Sequence, residues 1–546
     1  MGEEREIRMG ALYFGDNLHV LREEIKDEAI DLIYLDPPFN SKRDYNVFLK
    51  TPKGHESDAQ ITAFEDSWHW GEQAEREFSE LLKHPNTDVA EMIQSLRRFL
   101  KESDMMAYLV MMANRLLELH RVLKPTGSLY LHCDPTASHY LKIVMDTVFG
   151  ASNHRNEVIW QRINAKGNVQ RKFGAVHDVI LAYAKKLGNE TWNQLFRPLN
   201  QKYVDDMYTH IEEGTGRRYR LGDLTAPASR ASQGQIYEWK GYSLGKTRVW
   251  VYAKDKMQEL EDAGRIVYSK TGYPNFKRYL DENPGEKLPD IWTDIMPALG
   301  GEALGYPTQK PLALLERIIE ASSNKGDIVL DPFCGCGTAV HAAQKLGRDW
   351  IGIDITHLSI SLIEKRMKDA FPGLEFPVHG TPKDLEGARN LAERDKYQFQ
   401  WWACSLVGAQ PYQGKKKGAD GGIDGIKFFQ DDEQGAKKII ISVKGGEHVT
   451  RTQIADLKNT VEREKAAMGI FVTLSEPTDP MIKESVTAGF YESVKGEFAK
   501  IQILTIEDLL SGKKRPEHPD ISSGTYNFKK AKKESKKVKQ ETLKGF

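Results

Sequence analysis

Asp36-Pro37-Pro38-Phe39 closes an apolar run, Ile30 to Leu35, whose length and flanks predict a buried strand ending in a turn. Each proline fixes its own φ, and Pro37 pushes Asp36 towards extended backbone, so three successive residues have little freedom. A rigid acid is thereby set beside an aromatic ring. Asp and Pro are also ordinary turn residues, so the tetrapeptide decides the fold only together with a second stretch.

That stretch is Ile328-Val329-Leu330-Asp331-Pro332-Phe333-Cys334-Gly335-Cys336-Gly337-Thr338, an apolar strand running into a glycine turn. A helical stretch from Ala339 to Leu346 follows, then a short strand, Trp350 to Ile353, that ends in Asp354. Strand, glycine turn, helix, strand and an acid about twenty residues on is the layout of a nucleotide-type site. The turn reads FxGxG without a third glycine, which suits a cofactor carrying an adenosine but no pyrophosphate. An exocyclic amine on a base is a poor nucleophile because its lone pair is delocalised into the ring. Asp36 and the Pro37 carbonyl are candidate acceptors that would draw such an amine towards tetrahedral geometry. Phe39 would hold the base by its face, as in enzymes that extrude a nucleotide from the duplex.

With both motifs in hand, the sequence resembles an amino-group DNA methyltransferase that uses S-adenosylmethionine. In that family DPPY or DPPF is the catalytic motif and FxGxG the cofactor loop. The catalytic motif comes first here and the cofactor loop last, which resembles the β class, to which the modification subunits of type III restriction systems belong. The resemblance covers residues up to about 380. It implies an α/β fold, a circularly permuted, doubly wound S-adenosylmethionine-dependent methyltransferase sheet, in which the strands before Asp16 and Asp36 join those ending in Asp331 and Asp354. It further implies that Asp16 approaches the cofactor's adenine and that Asp354 binds its ribose hydroxyls. Asp331, Phe333, Gly335, Gly337 and Thr338 would form the rest of the cofactor wall. Tyr306-Pro307-Thr308-Gln309-Lys310-Pro311 matches the motif enclosing the methionine end, where Lys310 either neutralises a carboxylate or is an exposed helix-start lysine. An aspartate rather than a serine at position 36 favours adenine N6 over cytosine N4 by family habit.

Around these motifs the chain alternates strand and helix, an α/β pattern. Ala11 to Phe14 reads as a strand before Gly15-Asp16, and Asp16 is also an N-cap signal for a helix from Asn17 to about Ile25. Residues 40 to about 85 read as a polar, irregular loop carrying Tyr45, Phe48, Phe64, Trp68 and Trp70. Such aromatics are either a lid and stacking surface or a satellite apolar cluster. Helices through about Lys101 and from Met105 to Leu123 come next, then a strand over Ser128 to Cys133. These elements make residues 1–185 the catalytic half and 301–380 the cofactor-binding half, with Pro377 to Pro382 as a connection. Between them, residues 186–300 interleave Arg217, Arg218, Tyr219, Arg220, Tyr237, Trp239, Lys240, Lys246, Arg248 and Trp250. Basic side chains bind phosphates and aromatic ones stack or wedge, so this is the candidate target-recognition region. Its rival is a solvated loop system around a small core.

Residues 390–512 hold Gly418-Ala419-Asp420-Gly421-Gly422-Ile423-Asp424-Gly425 and a strand, Lys438 to Lys444, that ends in lysine. An acid on one strand and a lysine ending the next is how nucleases hold a divalent ion and orient water. This part resembles a second, smaller α/β domain of the restriction-endonuclease fold, particularly the Mrr type. The resemblance makes Asp424 and Lys444 its candidate catalytic pair, with Asp424 as ligand to Mg2+. Two departures weaken metal binding, since a hard dication needs oxygen ligands: Ser442 stands where an acid is usual, and Gln400 where a glutamate often stands.

Composition bounds the rest. The chain has 546 residues and a formal net charge of -1, enough for roughly three to four domain units. Its four cysteines are scattered or lie in the glycine turn, which argues against a disulfide framework and for a reducing compartment. Cys334-Gly335-Cys336 has no second pair to make a zinc site. The N-terminus is too charged for a signal peptide and no apolar run would span a bilayer. The lysine-rich tail, 513–546, reads as disordered, adding non-specific attraction to nucleic acid or only solubility. The expectation is a cytoplasmic, nucleoid-associated protein acting on double-stranded DNA, free of membranes and compatible with a homodimer. Its rivals are a cytosine N4 methyltransferase and a modification-dependent endonuclease.

Overall fold

The computed structural model describes residues 10–38, 43–50, 56–66, 70–164, 171, 173–230, 234–300, 302–304, 306, 308–412, 422–429, 437–446, 448–493, 496–519 and 534, the first two strands after residue 42 by backbone alone. They divide into two compact units, 1–193 with 290–534 and 194–289 with 535–546. Among the described residues no helix is long and apolar enough to cross a membrane.

The first unit is built on a nine-stranded sheet of β1 (Ala11–Phe14), β2 (Ile30–Leu35), β3 (Leu123–Cys133), β4 (His154–Gln161), β5 (His177–Ala184), β6 (Ile291–Trp292), β7 (Ile328–Asp331), β8 (Asp349–Asp354) and β9 (Val378–His379). Their spatial order is β6-β4-β5-β3-β2-β7-β8-β1-β9. Only β5 runs against its neighbours; every other pairing in the sheet is parallel. Parallel strands must be covered on both faces, which is why β2, β7 and β8 read as continuous apolar runs. On one face Leu32, Tyr34, Tyr130 and Trp160 pack with Leu314, Leu315 and Ile318 of the helix Leu312–Ser322. On the other, Ile33, Leu35, Leu129 and Leu131 pack with Met112, Ala113 and Leu116 of the helix Asp104–Val122. Register pairs Phe14 with Asp354 and Ile33 with Leu330, so Asp16, Asp36, Asp331 and Asp354 all follow or end strands at one carboxyl edge.

Two expectations are corrected. Residues 377–382 are not a plain connection: β9 pairs with β1, Leu12 N–H donates to Pro377 O (3.0 Å), and Tyr13 stacks on His379. Without β9, β1 would leave an open row of backbone groups at the sheet edge. Residues 40–85 are not irregular either, because Arg43–Lys50 and Glu56–Asp66 pair as an antiparallel hairpin and a helix starts at Glu72. The β-branched and aromatic residues spaced through that stretch favour strands. The side chains of Tyr45, Phe48, Phe64 and Trp68 lie outside the described residues. Trp70 belongs to an apolar cluster: it packs edge-on to Phe78 and lies beneath the Arg97 guanidinium.

The same unit carries a five-stranded sheet of β10 (Gln410–Pro411), β11 (Gly425–Phe429), β12 (Lys437–Lys444), β13 (Met468–Thr473) and β14 (Ile501–Thr505), ordered as numbered. The helices Lys396–Leu406 and Arg451–Arg463 pack on it. One apolar cluster joins Leu304, Tyr306, Cys336, Leu358 and Leu362 to Ile423, Ile426, Ile440 and Phe471, so the two sheets share buried surface.

The second unit has a four-stranded antiparallel sheet, in spatial order Ile266–Tyr268, Pro274–Tyr279, Arg218–Asp223 and His210–Ile211. Trp239 and Trp250 are its core, with Leu224, Met257 and Ile266. Several basic residues are matched internally: Arg217 with Asp281 and Glu282, Arg248 with Asp223, and Lys240 with Glu261. Those two tryptophans are therefore not stacking or wedging groups.

Candidate functional site

Asp36 leaves β2 at the carboxyl edge, and Lys310 stands just before the helix Leu312–Ser322; Lys310 Nζ donates to Asp36 Oδ2. The carboxylate that Lys310 meets is thus an internal one. Pro37 and Pro38 continue from Asp36 as described residues, whereas Phe39 lies outside them.

Asp16 fills the N-cap role read from the sequence. One carboxylate oxygen, Oδ1, caps the helix Asn17–Glu24 through Leu18 N–H (2.8 Å), and Oδ2 accepts from Arg115 (3.0 Å). Arg115 is buried in the helix Asp104–Val122 and also donates to Asn17 Oδ1 (2.6 Å), while Asn17 donates to Pro332 O (2.8 Å). This bridge fixes the β1 turn against the glycine turn. Neither Arg115 nor Asn17 was singled out from the sequence. The available signal was an arginine among apolar helix residues, because a buried charge requires partners.

The glycine turn is held by carboxylates. Asp354 Oδ2 accepts from Gly335 N–H (2.8 Å), Oδ1 accepts from Thr356 N–H (2.9 Å), and Asp331 accepts from Phe333 N–H (3.1 Å). Burial pushes both carboxyls up, and for Asp331 the charges of Asp36 and Asp354 add to it. Gly335 has φ +50° and a Cβ there would come 3.3 Å from the Tyr306 ring; Gly337 has φ +74° and its Cβ would meet Ile363 at 2.8 Å. Thr338 opens the helix Thr338–Lys345 and accepts from the buried Arg366 (3.1 Å).

These parts enclose a cavity of roughly 360 Å³, a size suited to a small ligand. Its wall includes Asp16, Asp36, Pro37, Pro38, Lys310, Asp331, Phe333, Gly335, Thr338 and Asp354; Gly337 shapes the turn from outside the wall. The turn's close backbone approach to Tyr306, with carboxylates at either side, fits an adenosyl group with hydroxyls to bind.

The C-terminal constellation differs. Asp424 Oδ2 accepts from Val443 N–H (2.7 Å) and Oδ1 from the Gln400 amide (3.0 Å), with Lys444 Nζ 3.9 Å away. Ser442 is buried on the same strand. Among the described residues no three His, Cys, Asp or Glu side chains gather as a metal set; Asp420 lies outside them. One carboxylate already bonded to two N–H donors does not match the oxygen-rich shell of a hard dication. The expectation that Asp424 ligates Mg2+ is corrected on that ground.

Residues 403–511 match the family described as NACHT-associated inactive Restriction Endonuclease 1. Among curated relatives, the Type II methyltransferase M.EcaI of Enterobacter cloacae is 32% identical over 265 residues, covering 48% of this chain and 57% of the relative. The Type III restriction-modification enzyme StyLTI Mod subunit of Salmonella typhimurium is 27% identical over 353 residues, 61% of this chain and 50% of the relative. The DNA adenine methyltransferase YhdJ of Escherichia coli is 27% identical over 250 residues, 46% and 63%. The chain therefore spans between 50% and 63% of the length of these relatives. Residues 30–365, more than half of the chain, match the N6/N4 methyltransferase model described as DNA methylase, and the chain belongs to that family.

Proposed function

We propose that the chain transfers a methyl group from S-adenosylmethionine to N6 of adenine in double-stranded DNA. The observation that carries this reading is that Asp36, Pro37, Lys310 and the glycine turn, far apart in sequence, line one cavity. When bound, S-adenosylmethionine supplies an electrophilic methyl group. Asp354 would hold the ribose hydroxyls, and Asp16, braced by Arg115, would border the adenine. Lys310 fixes Asp36 Oδ2. Asp36 Oδ1 and the Pro37 carbonyl would then accept from the target amine, and Phe39 would stack on the extruded base. Transfer is direct and in line, so alignment governs its rate.

The strand order, with β7 and β8 from late in the chain beside β1 and β2 from its start, supports a circularly permuted methyltransferase sheet. Residues 186–300 are proposed as the target-recognition region and the nucleoid as the place of work. Cytosine N4 is the alternative substrate. For the endonuclease-like module, the internal bonds of Asp424 and the matched family's description favour a non-cleaving role. The test is to incubate the full chain with DNA and labelled S-adenosylmethionine, digest to nucleosides and identify the product. N6-methyladenine is expected; N4-methylcytosine or no labelled base overturns the reading.

A further inference from the structure

Beside Asp36 a file of buried polar groups leads away from the cavity. Tyr34 Oη lies 2.9 Å from His132 Nδ1, His132 Nε2 lies 3.2 Å from Asp178 Oδ2, and Asp178 Oδ1 lies 3.1 Å from Arg162 Nε. The first three sit on β2, β3 and β5 and are at most 2% exposed, whereas the Arg162 side chain is 41% exposed. The file thus begins at the cavity wall, where Tyr34 stands, and ends near solvent. Tyr34 precedes Asp36, the residue that follows β2, by two positions, and both line the cavity. Three buried polar side chains in a row cost more than apolar ones unless fully bonded. The Tyr34–His132–Asp178 contacts have one consistent direction, and Asp178 Oδ1 meets Arg162 as an ion pair without hydrogen-bond geometry.

Burial, with the charge of Asp36 added, pushes the Tyr34 phenol well up, so it keeps its proton. Burial alone would raise Asp178, but its His132 bond and the charges of Lys310 and Arg162 hold its carboxyl below the usual range. An ionised Asp178 accepts, so His132 carries its hydrogen on Nε2 and its Nδ1 accepts from Tyr34. The phenol oxygen remains an acceptor for a proton arriving from Asp36. Among the described side chains that bear on Asp36, two offer no such acceptor. Lys310 has only donors, and Asp331, pushed well up by burial and by the charges of Asp36 and Asp354, keeps its own proton.

Resting on the methyl-transfer reading, we propose that Tyr34, His132 and Asp178 form a relay that removes the proton released when the amine is methylated. The carbon–sulfur bond breaks with its electrons going to sulfur, and a nitrogen–carbon bond forms from the amine lone pair. The nitrogen then carries one proton in excess. That proton passes to Asp36 and, across water in the cavity that Asp36 and Tyr34 both line, on to the Tyr34 oxygen, while the phenol's own proton moves to His132 Nδ1. The result is an imidazolium against the Asp178 carboxylate. The groups that bear on this transfer are Asp36 on the strand of Tyr34, Asp178 and Arg162 across the sheet, Lys310 before its helix, and Asp331 and Cys336 at the glycine turn.

The experiment combines two readouts on the full chain. In selectively 15N-histidine-labelled protein, assigned with a His132→Gln variant, His132 is expected as the Nε2–H tautomer, and its Nδ1 resonance should shift in Tyr34→Phe. In single-turnover methylation, Tyr34→Phe should slow the step at least tenfold near neutral pH. The deficit should shrink as pH rises and hydroxide takes the proton, with cofactor affinity and the KM for DNA unchanged. An Nδ1–H tautomer in the wild-type protein, or a folded Tyr34→Phe variant with the wild-type rate and pH profile, overturns the relay. If Tyr34→Phe does not fold, the wild-type tautomer decides. If the wild-type protein makes no N6-methyladenine, the methyl-transfer reading itself fails and the relay with it.

Discussion

Lys310 Nζ donates to Asp36 Oδ2 across 274 positions of sequence, and both side chains are at most 16% exposed. Removing the cation leaves a nearly buried carboxylate without its partner. Lys310→Met is expected to cost about 1–3 kcal/mol, below the full cost of breaking a dry ion pair because the cavity admits water. Single-turnover methylation should fall at least about tenfold as Asp36 loses its fixed orientation. Thermal denaturation and rapid-quench kinetics check the two effects separately.

Asp36→Ala separates binding from chemistry. The adenosyl side of the cavity, built by Asp16, Gly335 and Asp354, is untouched, so calorimetry should find cofactor affinity within a few fold of wild type. Methyl transfer should drop by about 10²–10³-fold or more, as for loss of a principal transition-state contact. Equal loss of both would remove Asp36 from the chemistry.

The two glycines of the turn should fail differently. At Gly337, φ +74° and a Cβ 2.8 Å from Ile363 combine left-handed strain with a clash in the packed core. Gly337→Ala is expected to cost about 2–4 kcal/mol. At Gly335 the strain is similar, but the tightest neighbour is the Tyr306 ring at 3.3 Å. Gly335→Ala should lose about 1–2 kcal/mol and show its main effect as weakened cofactor binding. Melting curves with and without S-adenosylmethionine rank the variants.

His357 makes the methyltransferase sheet acid-sensitive. It is buried, stacked on Phe14 with ring centroids 3.6 Å apart, and burial with the charge of Arg394 lowers its pKa from 6.5 to about 3. Because the unfolded chain binds this proton more readily, the stabilisation is present above pH 6.5 and is lost as pH falls towards 3. Between about pH 6.5 and 5 the loss from this group should reach roughly 2 kcal/mol. His357→Phe keeps a ring against Phe14 and should remove that part of the slope in urea titrations at the two pH values.

In the endonuclease-like module, Asp424→Ala strands the Val443 N–H and the Gln400 amide. Losing these bonds should destabilise by about 1–3 kcal/mol. Below the melting temperature methylation should be unchanged. Supercoiled plasmid should stay intact with the wild-type protein and Mg2+, as read on an agarose gel; metal-dependent nicking that Lys444→Ala abolishes would restore the nuclease reading.

The parts of the site that sequence made visible are those where one residue type is physically required. Asp36 with its two prolines, and Gly335 and Gly337 with positive φ, fall in that class. Apolar runs identified β2, β7 and β8 because strands buried on both faces tolerate little else. Arg115, Asn17 and the His132–Asp178 pair were hidden, since each is meaningful only through a partner brought close by folding. β9 was hidden for a related reason: two residues between prolines carry no period, and its strand character comes from pairing with β1. In residues 194–289 the interleaved basic and aromatic residues left both readings open, because which of them join a small core, as Trp250 does, and which form ion pairs, as Arg217 and Asp281 do, is decided only by partners that folding brings close.

The apolar cluster that joins Tyr306 and Cys336 to Ile423 and Ile440 leaves no natural seam between the methylase and the endonuclease-like module. Trimming the C-terminal part would lay bare a greasy scar directly behind the cofactor turn. Such a shortened protein would stick to its own copies through that surface.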